Sequence, residues 1–342
     1  LTTVPVVQPA LAARRVVGPV PAILIDVRTG QVLYAREIHK RVAPASTTKM
    51  LTAILAIERF PLDTRVTISA RAAAQRSGSA IGLEGGQQWS IADLLHAMLL
   101  RSANDAAVAV AEAYAGSVEA FAEEMNRKAR RIGARNSHFV NPHGLNAADH
   151  YSTAHDLALI ARYGLNLPVF ASLVRQQTWT LDRPDRVGRE FVNTNRLLAR
   201  YEGADGVKTG WTAAAGHCLV GSATRDGWQL LAVVLHSHEM YRDVAQLLDH
   251  GFETFAPVKL AGRGDPMVTL NTSQWRSNVV GVVPSDVLAV VRRGAAVRSQ
   301  IRLRSDLRPP VAPGAPLGEV IFFAGQAVVA RSALVAAFPK TP

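Results

Sequence analysis

A single cysteine, Cys218, in 342 residues excludes an internal disulfide framework and a cysteine-rich metal site. It lies in the alternating segment His217 to Thr224 and reads as a buried strand thiol. Long apolar runs are missing as well. No stretch approaches the roughly eighteen uninterrupted apolar residues of a membrane span, so the chain reads as soluble. Acidic residues are outnumbered, 27 Asp and Glu against 38 Lys and Arg, giving a net charge of +11. That balance favours anionic surroundings: nucleic acid, anionic lipid or an anionic polymer. No basic motif with interleaved aromatics is present, which argues against nucleic acid. The short cluster Arg127-Lys128-Ala129-Arg130-Arg131 reads as a solvated helix face. An initiator methionine is absent too. A chain that opens on Leu1 fits export with loss of a signal peptide, although a recombinant start looks the same.

What is present is an ordinary globular composition, 48% apolar and 19% charged, long enough for one large domain or two ordinary ones. Residues 1–20 read as a loose lead-in. Ala22 to Val27 and Gln31 to Ala35 form two β-rich runs around Arg28-Thr29-Gly30, a hairpin pattern. An apolar helix follows from Met50 and stops at Phe60-Pro61, where proline breaks the hydrogen-bond ladder. Residues 62–89 read as short strands and turns. Helices are expected from Ser90 to Ala103, Asp105 to Tyr114, Ser117 to Ile132 and Thr153 to Tyr163, the third ending at Gly133. Strand patterns return at Gln177 to Leu181, Gly206 to Thr212, Cys218 to Ala223 and Gln229 to His236, and a helix is expected from Tyr241 to Phe255. The architecture implied is α/β of the α+β kind: an antiparallel sheet flanked by helices, with a mostly helical insert. After Pro257 the texture changes to short β-rich runs broken by Pro and Gly, Pro309, Pro310, Pro313 and Pro316 among them. The expected domains are therefore 21–256 and a small all-β domain over 257–342.

The stretch Pro44-Ala45-Ser46-Thr47-Thr48-Lys49 opens the first helix. If Ser46 sits at its mouth, Lys49 three residues on projects from the same face. A hydroxyl becomes a good nucleophile when a base takes its proton, and a desolvated lysine is such a base. The plainer alternative is a Ser46 N-cap beside a solvated lysine, since Ser-x-x-Lys arises by composition about once in a chain of this size. Two further elements shift the balance, Ser102-Ala103-Asn104 between helices and Lys208-Thr209-Gly210 on a strand. Locally, Ser102 and Asn104 read equally as helix caps, and Lys208 as an edge-strand lysine.

Together the three elements, in this order, match the signature of penicillin-binding proteins and serine β-lactamases. Within that superfamily the chain resembles the D-alanyl-D-alanine carboxypeptidases, the low-molecular-mass penicillin-binding proteins, over about residues 20–256. Asn141-Pro142-His143-Gly144-Leu145, Asn193-Thr194-Asn195 and Arg242 ahead of Leu247 to Phe252 add to the likeness. The resemblance implies a β-lactamase/transpeptidase-like fold and cleavage of the amide before a terminal D-alanine of peptidoglycan stem peptides, outside the cytoplasm or in the periplasm. It implies Ser46 as nucleophile, Lys49 as its base, Ser102 as proton relay and Asn104 as positioner. Backbone N–H groups of Ser46 and Trp211 would form the oxyanion hole, and Lys208, Thr209 and Gly210 the carboxylate site, with Arg242 as a further cation. β-Lactam antibiotics would be covalent inhibitors, and no cofactor or metal is implied.

Two departures refine this. Ala103 stands where β-lactamases carry Asp, and no Glu-x-x-Leu-Asn stretch separates the second and third elements, which favours a carboxypeptidase over a β-lactamase. An endopeptidase of the same fold and a non-catalytic peptidoglycan-binding protein remain as alternatives. His143, between Pro142 and Gly144, reads as loop support, and His236 and His238 lack a third ligand for zinc. The end of the chain, Gly325 to Pro342, lacks the basic and apolar faces of a membrane-surface helix, so contact with a membrane surface is left open.

Overall fold

The computed structural model describes residues 16–181, 189–271, 278–308 and 310–337. Most of the expected lead-in, Pro309, and the end with Pro339 and Pro342 lie outside the described residues. The chain divides into two compact units, one holding Leu33–Asp249 with the strand before it, the other holding Arg28–Val32 and the residues from His250 onward.

The first unit is built on a five-stranded antiparallel sheet. Its strands are Ala22–Asp26, Val32–Arg36, Ala204–Thr212, Gly216–Arg225 and Trp228–Ser237. Across the sheet they run 32–36, 22–26, 228–237, 216–225, 204–212. The apolar run Leu230 to Leu235 is wholly buried. A strand that is apolar without alternation needs cover on both faces, and it pairs Val233 with Ile23 on one side and with Val220 on the other. The turn at Asp226-Gly227 has φ of 50° and 75°, the left-handed pair that matches the twist of a tight hairpin. The next pairing in that sheet sets Lys208 opposite Val220, Thr209 opposite Leu219 and Gly210 opposite Cys218. Cys218 is buried, and burial pushes its thiol up to about 11, so it is inert.

The insert is helical, as expected. The Lys49–Arg59 helix is buried from Lys49 to Ala56, which suits a segment apolar on every side. Ile91–Leu100, Val118–Ile132 and Ala154–Leu165 start at Ser90, Ser117 and Thr153, whose side-chain oxygens accept the N–H three residues on. Asn104–Ala115 ends at Gly116 and Val118–Ile132 at Gly133, both left-handed. Met240–Thr254 is the closing helix.

Several local readings are corrected. Residues 62–89 contain a helix, Ala70–Ala74, capped by Ser69; its alanines are strong helix formers that the neighbouring glycines obscured. Pro168–Val174 and Leu197–Arg200 are also helical, the former with proline in the first turn, where its missing N–H is harmless. The strand Thr178–Leu181 has a partner in Arg189–Val192.

In the second unit Phe255–Ala261 pairs with Val287–Arg292. A further five-stranded sheet runs Pro266–Leu270, Val279–Val282, Ala327–Ala336, Pro316–Ala324, Val297–Leu303. Ala261, Val283, Val287, Ala289, Val291, Val320, Phe322 and Val329, drawn from both of these sheets, form a core of this unit. Among the described residues, no single helix is long and apolar enough to cross a bilayer.

Candidate active site

Ser46 does not cap the first helix. Ala45–Thr48 is a 3-10 turn, and the α-helix begins only at Lys49. Side chains three apart eclipse one another in a 3-10 turn, which brings Lys49 Nζ to 2.9 Å from Ser46 Oγ. Thr47 Oγ1 donates to the Pro44 carbonyl at 2.6 Å and holds the turn. Ala45 has φ +49°, a left-handed conformation that an L-residue adopts only when its surroundings impose it.

Lys49 is fully buried. Its Nζ also donates to Asn104 Oδ1 and to the His143 carbonyl, each at 2.6 Å. Asn104 comes from the first turn of Asn104–Ala115, and its amide is fixed the right way round because Nδ2 donates to the Ser77 carbonyl at 2.7 Å. The His143 carbonyl belongs to a tight turn. Asn141 Oδ1 accepts the N–H groups of His143 and Gly144 there, and Thr52 Oγ1 donates to the Pro142 carbonyl at 2.7 Å. Burial, and then the charge of Lys208, hold the Lys49 ammonium well below its ordinary range, with Asp105 opposing. A neutral amine has two hydrogens and one lone pair. In that form the two carbonyl oxygens occupy the hydrogens, which leaves the lone pair for the Ser46 hydroxyl; as an ammonium, Lys49 donates its third hydrogen to Ser46 Oγ.

Ser102 lies in the turn that delivers Asn104, at φ +61° and 7% exposure. Among the described residues no hydrogen bond joins its Oγ to Ser46 or Lys49. Lys208 is buried in the strand Ala204–Thr212 and donates to the Thr209 carbonyl at 3.0 Å; burial lowers its pKa to about 7. Thr209 Oγ1 is 3.0 Å from Thr194 Oγ1. A Cβ on Gly210 would stand 3.0 Å from Ser46 N and 3.1 Å from Ala45 Cβ, so this strand passes the turn at main-chain distance. Trp211 is 60% exposed beside it. Arg242 is not drawn in by any hydrogen bond or ion pair to these residues: it is exposed and paired with Glu239 at 2.7 Å.

Sequence reasoning passed over Asp105. Fully buried, it accepts N–H bonds from Ile81, Gly82, Leu83 and Ala106 and so fixes the 77–83 loop that orients Asn104. Its position in the first turn of a helix beside Asn104 was the available signal. Among the described residues no group of three or more His, Cys, Asp or Glu is placed to hold a metal ion.

The sequence model of one family, described as D-alanyl-D-alanine carboxypeptidase, matches residues 9–239. The D-alanyl-D-alanine carboxypeptidase DacF of Bacillus subtilis is 32% identical over 330 residues, covering 92% of this chain and 84% of that protein. The solved structure of penicillin binding protein 5 from Haemophilus influenzae superposes with a TM-score of 0.82 at 27% identity, covering 98% of each chain. That of the D-alanyl-D-alanine carboxypeptidase DacD from Francisella tularensis gives 0.78 at 28% identity, over 95% of this chain and 96% of the other. A match of this extent, on a chain whose serine, lysine and asparagine already meet, means that the protein belongs to the D-alanyl-D-alanine carboxypeptidase family.

Proposed function

We propose that this protein is a serine hydrolase that removes the terminal D-alanine of peptidoglycan stem peptides through an acyl-enzyme on Ser46, and that β-lactams acylate the same oxygen. The observation that carries this reading is the buried Lys49 Nζ, which donates to Asn104 Oδ1 and the His143 carbonyl while Ser46 Oγ lies 2.9 Å away.

Lys49 takes the Ser46 proton as Oγ attacks the carbonyl of the penultimate residue. The tetrahedral oxyanion sits between the N–H groups of Ser46 and Trp211, an arrangement supported by the close passage of Gly210 against Ser46 N. The C–N bond breaks, and the proton held by Lys49 reaches the departing D-alanine amine by way of Ser102. Water, deprotonated by the same lysine, then cleaves the ester and restores Ser46. Lys208 and Thr209 hold the terminal carboxylate, which selects peptides with a free C-terminus. Arg242 would contribute charge only after leaving Glu239. Residues 21–256 carry this chemistry and 257–342 form an appendage. The setting is extracytoplasmic, where a net charge of +11 suits an anionic wall polymer.

A peptide ending in D-alanyl-D-alanine is expected to release free D-alanine, and a labelled penicillin to mark Ser46; Ser46→Ala should abolish both. Release undiminished in Ser46→Ala, or no label on the wild-type chain, would overturn the reading.

A further inference from the structure

The loop that supplies the His143 carbonyl is tied to the Ser46 turn by a second histidine. His150 is 5% exposed, and the main-chain N–H of Val140 donates to its Nδ1 at 3.1 Å. Nδ1 therefore carries a lone pair, and the single ring proton of the neutral imidazole is on Nε2. Nε2 lies 3.0 Å from Thr48 Oγ1, so it donates there. Phe139 meets the ring edge-on, with centroids 5.7 Å apart. Burial holds the pKa of His150 down at about 4, with His138 and Lys49 adding to the effect, so the proton arrangement persists at neutral pH. One imidazole thus joins a main-chain group at the start of the 140–150 loop to the side chain that immediately precedes Lys49.

We infer that His150 is a positioning residue for acylation. By clamping Thr48 to the loop, it holds Lys49 Nζ within reach of both the His143 carbonyl and Ser46 Oγ. The inference rests on the reading of Ser46 as nucleophile and Lys49 as base. A core histidine with no such part would matter only through its volume. Glutamine separates the two cases, since its amide oxygen can accept from Val140 N–H and its amide nitrogen can donate to Thr48, whereas leucine fills similar space and does neither.

The test is the second-order rate of acylation by a labelled penicillin, measured beside thermal melting. His150→Leu is expected to slow acylation by about 10- to 100-fold, and His150→Gln to stay within about threefold of wild type. Thr48→Val removes the acceptor without touching the ring and should slow acylation as well. Combined with His150→Leu it should add almost nothing, because both variants break one bond. Additive losses, or equal losses in the Gln and Leu variants, would overturn the inference, as would an unchanged rate in His150→Leu. If His150→Leu does not fold, Thr48→Val and His150→Gln decide alone: a wild-type rate in Thr48→Val overturns it. A wild-type chain that takes no label removes the hydrolase reading itself, and this inference with it.

Discussion

Two buried lysines share one cleft, and their charges act in opposite directions on the reaction. In the proposed mechanism Lys49 must be neutral to take a proton, whereas Lys208 must be charged to hold a carboxylate. Burial disfavours the charge on each, and the charge of Lys208 adds to the cost on Lys49. Lys208, with a pKa lowered to about 7, is cationic below that point and loses its charge above it. For a peptide with a free C-terminus, kcat/KM of the wild-type enzyme is therefore expected to fall above pH 7, by up to about tenfold per unit until other contacts set a floor. In Lys208→Arg the guanidinium stays charged, and the alkaline fall should leave the range from pH 7 to 9. A flat wild-type profile over that range would refute this. The pairing of Ser46 with Lys49 was legible in the sequence because it is local, three residues within one turn. Asn104, 55 positions from Lys49, became legible only through family resemblance. The contacts of Asp105 with the 81–83 loop and of His150 with Thr48 follow from no periodicity, since backbone donors and a partner 102 positions away leave no pattern in composition.

Among the elements, the turn over 141–146 leaves no room for a side chain at Gly144. Gly144 has φ +89°, and a Cβ there would overlap the Ala45 carbonyl and come within 2.9 Å of Thr48 Oγ1. Gly144→Ala must displace either this turn or the 45–48 turn that carries Ser46, and is expected to destabilise by about 2–4 kcal/mol and to depress acylation together with it. A denaturant titration beside the labelling assay reads both, and wild-type values in each would show that the two segments are not in contact. The capped helices were legible at this scale, because Ser90, Ser117 and Thr153 act through neighbours three residues away. The Ala70–Ala74 helix was not, because one and a half turns are too short for a periodic signal, and its stability rests on Ser69 and on packing of Ala72. Leu197–Arg200 is shorter still.

For the molecule as a whole, acid is the destabilising direction. His143 and His150 are buried neutral, with pKa values lowered to about 3 and about 4 from an ordinary 6.5. Between those values and 6.5 the unfolded chain binds protons that the folded chain refuses, so stability falls as pH drops through that window. At pH 5 the loss is about 2 kcal/mol for each histidine. The exposed ion pairs, such as Arg71 with Glu119 and Arg304 with Asp306, are screened by solvent and do little to offset it. Thermal midpoints are expected to decline from pH 7 to pH 5, and less steeply in His150→Gln, which removes one of the titrating rings; equal midpoints at the two pH values would contradict this. Ser46, Lys49, Asn104, Lys208 and Gly210 all belong to the first of the two units, and the second contributes none of them. The groups of the proposed chemistry thus lie together in one compact unit, so the distances among nucleophile, base and carboxylate site are set within that unit alone.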